Sequence, residues 1–236
     1  MIQFSSTYRS EEKEIMDDLT FHGPEMEQLL VDLSKVNRFL GGNRITLNGL
    51  GYLMKERMGK PTTSIVDVGC GDGETLRRCY FWGKRNNYEF NLMGLDANIH
   101  IIKEAEERSE GIKNINFKAV NVLDEKEPIP KHDIAVFSLF LHHFPEKEIE
   151  QILSRVWAQC STGIIINDLH RSVWAFNLFR IFSAFFVKTK TARHDGLVSV
   201  ARGFRRHELE KLASGLEGSH RIKWKWAFRY QWIIKK

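Results

Sequence analysis

The run Ile65-Val66-Asp67-Val68-Gly69-Cys70-Gly71-Asp72-Gly73-Glu74 is the densest chemical signal in the chain: an apolar strand that turns through three glycines into a helix. Glycine lets the backbone take positive φ and approach a ligand without a Cβ clash. A helix starting at Glu74 would turn unpaired N–H groups toward polar ligand atoms. A dinucleotide site uses the same physics but spaces its glycines GxGxxG; here the spacing is GxGxG, with Asp67 two residues ahead of it. A carboxylate at that point repels a pyrophosphate and accepts a hydrogen bond from an ammonium, so a cationic ligand with an amino-acid tail is expected around Asp67, Gly69, Cys70, Gly71 and Gly73.

Two further positions fit such a ligand. Leu95-Asp96-Ala97 closes the second apolar run, and a carboxylate at a strand's carboxyl end can accept from both hydroxyls of a ribose. Asn98 is expected to cap the next helix. Asn121 and Val122 end the third run, where an amide and a backbone N–H could meet an adenine edge; Asn121 is equally suited to forming a turn. The order along the chain is thus amino-acid tail, ribose, base.

Transfer to a hydroxyl would need a general base. The candidates are His142, His143, His170 and His194, with His143 and His170 preferred because they follow the fourth and fifth strands. Capping or loop hydrogen bonding is the competing role for the histidine pair. Arg171 and Arg202 could hold a carboxylate or carbonyl of an acceptor, with His194 beside them; solvation at the surface competes. No metal is expected, because Asp133 stands at the start of its strand rather than at the end.

The elements that must position these residues are short apolar runs alternating with amphipathic stretches, the pattern of repeated β-α units. Strands are predicted at Ser64–Val68, Phe90–Leu95, Ile115–Val120, Asp133–Phe137 and Gly163–Asn167, and helices at Glu74–Trp82, Asn98–Glu107 and Lys147–Ala158. Ahead of them, helical spacing of Leu29, Leu30, Leu33 and Val36 predicts a helix ending at Gly41-Gly42, and a second is expected from Thr46 to Met58 before Gly59-Lys60-Pro61. Behind them, the apolar stretch Val173–Val187 reads as a buried helix or a greasy lid. A loop is expected through His194-Asp195-Gly196, then a helix over Arg206–Ala213 and two strands, Ile222–Trp226 and Arg229–Ile234, pairing antiparallel at a sheet edge.

Composition narrows the class. The 236 residues are 42% hydrophobic and 28% charged, ordinary for a globular protein. The formal charge of +5 is scattered, short of the clustered stripe that nucleic acid requires. The three cysteines, Cys70, Cys79 and Cys160, form no CxxC pair, so neither a disulfide framework nor a cysteine zinc site is supported. The first residues lack a secretory pattern, and Val173–Val187 is too short and too polar, with Asn177 and Arg180, to span a bilayer. Arg180 and Lys188 permit at most a peripheral membrane contact. A cytoplasmic protein, monomeric or homodimeric, is expected.

On VDVGCGDGE, GLDAN, AVNVLD, DIAVFSLFLHHF and GIIINDLHRS, the chain from about Ser64 onward resembles the class I S-adenosylmethionine-dependent methyltransferases, among them the small-molecule enzymes of ubiquinone and menaquinone biosynthesis. The resemblance implies a Rossmann-like, doubly wound α/β fold: a mostly parallel seven-stranded sheet with an antiparallel last strand and extra N-terminal helices. It implies residues 1–60 as a helical cap, residues 61–236 as the methyltransferase domain with a lid insertion around 172–204, and Ser138 with Leu139 beside the sulfonium. The cofactor would be S-adenosylmethionine, the acceptor a small aromatic or polyketide- or quinone-like molecule, and the reaction O- or C-methylation. Asn121 departs from the acidic residue common at the adenine position, and Cys70 from the frequent alanine or threonine. Phe137-Ser138-Leu139-Phe140 replaces the tetrapeptide of many base-amine methyltransferases. A nucleic-acid methyltransferase, a non-catalytic cofactor-binding protein and, more distantly, an NAD-linked oxidoreductase are the rival readings.

Overall fold

The structure is a computed structural model that describes residues 2–57 and 62–236; the expected helix end at Met58 and the Gly59-Lys60-Pro61 break lie outside them. Seven strands form one sheet in the order β3-β2-β1-β4-β5-β7-β6. They are β1 (Thr63–Val68), β2 (Phe90–Asp96), β3 (Ile115–Ala119), β4 (His132–Ser138), β5 (Cys160–Leu169), β6 (Ser219–Lys225) and β7 (Arg229–Lys235). The first five are parallel; β7 runs antiparallel to both β5 and β6. The final pair lies at one edge of the sheet as expected, with β7 between β5 and β6, so that of these two strands β6 is the outer one.

Side chains alternate between two cores, as strand geometry requires. Ile65, Ile134, Val136, Ile165 and Ile233 face α2 (Gly42–Met54) and α3 (Glu74–Arg85), while Val66, Ala135, Phe137, Ile164, Ile166 and Trp232 face α5 (Glu146–Gln159) and α8 (Arg206–Ser214). With both faces covered, β5 can be the continuous Ile164-Ile165-Ile166 run, as in buried parallel strands generally. The α4 helix (Ile99–Arg108) packs on β2 and β3, and the Asn98 side chain accepts from the His100 and Ile101 N–H groups as its expected cap.

Three segments differ from expectation. Helix α1 (Pro24–Phe39) stops before the glycines, and α2 begins at Gly42 rather than Thr46, with Gly41 at φ +72° as the joint. A Cβ on Gly42 would stand 1.8 Å from Asn37 Oδ1, so a larger residue there would have to push the Asn37 side chain aside. The third is His194-Asp195-Gly196, which lies inside a helix, α7 (Lys190–Arg202), rather than a loop. Thr189 caps it by accepting the Ala192 N–H. Gly196 is there for close packing: a Cβ would meet the Phe179 ring at 2.3 Å, where α6 (Val173–Phe186) crosses α7.

The α1, α6 and α7 helices and the first twenty residues cover the carboxyl end of the sheet. Leu29, Val187 and Ala192 make one small core there, and Ala175, Phe176 and Val200 another, with the Phe4 ring tilted against Phe176 at 4.9 Å. Buried carboxylates tie the segments together: Asp32 accepts the Lys188 and Thr189 N–H groups, and Asp195 accepts those of Ile15 and Met16. Helix α6 buries one side only, for Trp174, Leu178, Ile181 and Phe185 form an exposed apolar stripe at i, i+4, i+7 and i+11. Among the described residues no helix is long and apolar enough to cross a membrane.

Candidate active site

At the end of β1 the chain makes the turn expected of it. Gly69, Gly71 and Gly73 all have positive φ, +71°, +52° and +77°. At Gly69 a Cβ would lie 1.9 Å from the Phe140 ring, whereas at Gly71 nothing stands within 4 Å, because this glycine opens on a cavity.

Two cavities converge on this turn. One, of about 920 Å³, runs past Asp96, Ala97, Asn121 and Val122 and beneath the N-terminal residues Thr7–Lys13. The other, of about 530 Å³, is walled by apolar side chains of α1 and α6, by Ser138, and by the β6–β7 turn. Met16, Gly69, Gly71, Leu139 and His143 line both. Leu139 has φ +57°, uncommon for a residue with a branched side chain, and its N–H is held by the Asn167 carbonyl. Backbone strain of this kind gathers at functional positions.

The cofactor-side residues fall into three groups. Gly69, Gly71 and Leu139 stand at the junction; Asp96, Ala97, Asn121 and Val122 line the larger cavity; Cys70 and Ser138 line the smaller. Gly73 and Asp67 line neither. Gly73 is the N-cap of α3. Asp67 is buried under the turn, and its Oδ1 has no hydrogen-bond partner. Burial, then the neighbouring Asp96 and Asp72, push its carboxyl well above the usual range. An ammonium brought to that oxygen would supply the missing donor and favour the charged form.

Asp96 Oδ2 accepts the Gly71 N–H at 3.1 Å and Oδ1 the Asn98 N–H at 3.1 Å. Burial raises its pKa against these bonds. The Asn121 amide oxygen closes a turn onto the Leu123 N–H at 3.0 Å, so the turn role exists beside any contact with a base. The Cys70 thiol is buried, which pushes its pKa up and makes it a packing group rather than a nucleophile. These residues fit S-adenosylmethionine: an open glycine cradle, and a carboxylate and an amide farther along one cavity.

The histidines separate. Of the four candidates, His142 and His143 line these two cavities, on a short 3-10 turn, Leu141–His143, after β4. His143 Nδ1 lies 2.6 Å from Asp17 Oδ1. Arg202 Nη1 donates to Asp17 Oδ2 at 3.0 Å, Nε donates to the His142 carbonyl, and Nη2 to that of His143. The Asp17 carboxyl, despite burial, is held low by His143 and Arg202. His142 is fully enclosed: Nδ1 meets Asp168 Oδ1 at 2.7 Å and Nε2 faces Glu14 Oε1 at 3.3 Å. Burial opposes charge on this ring, but Asp168 and Glu14 outweigh it and push its pKa up to about 9.

Four expected site residues take other places. His170 lines neither cavity; it accepts the Trp224 indole N–H at 3.3 Å and stacks near Phe228. His194 is partly exposed between Asp195 and Glu12, outside both cavities. Arg171 is 1% exposed and spends its guanidinium on Glu208 and the Gly203 and Thr7 carbonyls. Arg202 does border the larger cavity, yet its bonds hold the Asp17–His143 pair rather than face an acceptor. Reasoning from the sequence missed Glu14, Asp17 and Arg229. The acids lie in a polar stretch, Glu11 to Asp18, that reads as solvated. Glu14, His142 and His143 also bring three ligand-capable atoms within 4.8 Å of one another, but the two rings already have carboxylate partners, His142 in Asp168 and His143 in Asp17.

Comparison with known proteins gives the same frame. Residues 65–163 match the family model described as a methyltransferase domain. No curated protein matches the sequence. Among solved structures, the plantazolicin methyltransferase BpumL in complex with SAH is similar at TM-score 0.65 and 16% identity, over 90% of this chain and 94% of that one. BamL, a plantazolicin methyltransferase in complex with a triazolic desmethylPZN analog and SAH, is similar at TM-score 0.66 and 16% identity, over 90% and 91%. Magnesium protoporphyrin IX methyltransferase (ChlM) from Synechocystis PCC 6803 with bound SAH follows at TM-score 0.55 and 15% identity, over 85% of each chain. The sheet order and these likenesses show the Rossmann-like methyltransferase fold.

Proposed function

We propose that this chain is an S-adenosylmethionine-dependent methyltransferase that methylates a small, largely apolar acceptor of aromatic, polyketide-like or quinone-like character at oxygen or carbon. The observation that carries the reading is the junction: two cavities, one polar at the ribose and base positions and one apolar, share five residues, and His143 is among them. When bound, the cofactor supplies a methyl group on a positively charged sulfur.

The residues of the chain do the rest. The glycine turn and Asp96 hold the donor side, while the apolar wall of α1 and α6 orients the acceptor and keeps water out. Alignment of two partners of this kind accounts for roughly 7–11 kcal/mol in the best intramolecular cases. For a hydroxyl acceptor His143 takes the proton, with Asp17 fixing the ring and stabilising its charged form, and Arg202 fixing Asp17. His142, locked between Asp168 and Glu14, serves as a positioning residue. The plantazolicin and magnesium protoporphyrin names of the structural neighbours support an acceptor that is not a nucleic acid. The exposed stripe on α6 supports a peripheral membrane contact through which such an acceptor arrives.

The test is calorimetry with S-adenosylhomocysteine and NADH, followed by a search of extracts for products labelled from the methyl donor. Binding of the first alone, with a labelled lipophilic product, is expected. Labelled RNA, or binding that falls steeply with salt, would move the reading to a nucleic-acid enzyme. Cofactor binding without any labelled product would leave a non-catalytic protein.

A further inference from the structure

Arg229, at the start of β7, is 1% exposed and lines the apolar cavity, yet its Nε and Nη1 have no hydrogen-bond partner. Buried guanidinium groups are as a rule paired, because an uncompensated charge in an apolar setting is costly. The cavity's own acids are all engaged elsewhere. Glu14 faces His142 at 3.3 Å, Asp72 pairs with Arg108 at 2.8 Å and Arg77 at 3.3 Å, and Glu74 pairs with Arg78 at 3.1 Å. Asp168, whose field also reaches Arg229, is occupied by His142. Among the described residues Arg229 is therefore the cavity's unpaired cation. Burial lowers its pKa only to about 10, so it is charged at neutral pH.

A second orphan stands beside it. Asn37 Oδ1 is also buried without a partner, and its Nδ2 is already donated to Asn43. A Cβ on Gly42 would lie 1.8 Å from Asn37 Oδ1 and 2.7 Å from Arg229 Nη1, so the two orphaned atoms sit side by side against this glycine.

We infer that Arg229, with Asn37, is the anchor for a carboxylate or enolate oxygen of the acceptor, Arg229 donating to that oxygen and Asn37 accepting from an adjacent hydroxyl. One cation with a neutral acceptor next to it suits a monoanion, not a phosphate dianion that needs more donors. The surrounding Phe179, Phe182 and Leu178 suit an apolar body. The acceptor class thereby sharpens to an acidic amphiphile, an inference that rests on the methyl-transfer reading for its meaning but not for its test.

The test measures binding of dodecanoate and of its methyl ester by calorimetry, in the native protein, R229Q and R229K, with S-adenosylhomocysteine titrated separately. Charged hydrogen bonds contribute about 1.5–3 kcal/mol, so dodecanoate is expected to bind the native protein on the order of 10- to 100-fold more tightly than the ester. R229Q should erase that preference and R229K restore part of it. S-adenosylhomocysteine affinity should stay unchanged in R229Q, which also reports an intact fold. Equal binding of acid and ester, or a preference that survives in R229Q, overturns the anchor. Carboxylate binding without S-adenosylhomocysteine binding would sink the methyltransferase reading and leave the anchor standing.

Discussion

Asp17 and His143 are 126 residues apart in sequence and 2.6 Å apart in space; His143 lines both cavities and Asp17 the larger one. H143Q is expected to lower turnover of a hydroxyl acceptor by about 10²–10⁴-fold, the usual range for a general base. D17N should lower it less, chiefly in kcat, with S-adenosylhomocysteine affinity unchanged in both. Steady-state kinetics on the first product identified would check this; undiminished turnover in H143Q would remove the histidine from the reaction.

Asp96 accepts two backbone N–H groups and borders the larger cavity. D96N keeps the volume but retains a single acceptor oxygen, so affinity for S-adenosylhomocysteine should fall about 10- to 100-fold. Calorimetry is the measurement. Retained affinity with a native circular dichroism spectrum would refute the ribose assignment.

The pH dependence of stability follows from the buried His142 cluster. The His142 pKa is raised to about 9 in the folded protein. Its contribution is complete below the unfolded value of roughly 6.5 and is lost as pH rises through 9. Glu14, shifted downward by His143 and His142, and Asp168, shifted downward by His142, both against the cost of burial, contribute above the unfolded carboxylate range and lose that contribution as pH falls through their lowered values. Thermal melts should show a plateau between about pH 5 and 7 with a falling alkaline limb, and H142Q should flatten that limb. Because His142 and His143 already have carboxylate partners in Asp168 and Asp17, a chelator should leave the melting temperature of the native protein unchanged.

Gly196 sets the distance between α6 and α7. G196A drives a methyl group into the Phe179 ring, and overpacking of this kind costs about 1–3 kcal/mol. The melting temperature should drop, and acceptor affinity should change while S-adenosylhomocysteine affinity does not. A melt identical to that of the native protein would show that the helices separate freely.

The outer stripe of α6, Trp174, Leu178, Ile181 and Phe185, lies in a stretch from 169 to 194 without an acidic residue. Cosedimentation with vesicles containing phosphatidylglycerol is expected, reduced by added salt and by W174A/F185A. Pelleting equal to that of a vesicle-free control would end the membrane reading.

Much of the fold was readable because burial on two faces leaves a plain signature, as in the apolar run Ile164-Ile165-Ile166. Glycine spacing and the carboxylate at Asp96 were equally visible, since both are local. The α7 helix was not: His194-Asp195-Gly196 has turn composition, and the Phe179 ring that explains Gly196 comes from another helix. Arg229 shows the limit best. Its enclosure depends on β7 being inserted between β5 and β6 and on α2 starting beside Asn37, and neither is encoded in the residues around position 229.

The segment 65–163 carries the glycine turn, Asp96, Asn121 and His143, whereas Asp17, Phe179 and Arg229 all lie outside it. On the proposed roles the middle segment supplies the donor cradle and the base, while Arg229 and much of the apolar wall come from the flanks. A hybrid that exchanged the flanks of two such proteins would then change acceptor selectivity and, with it, the Asp17 support of His143.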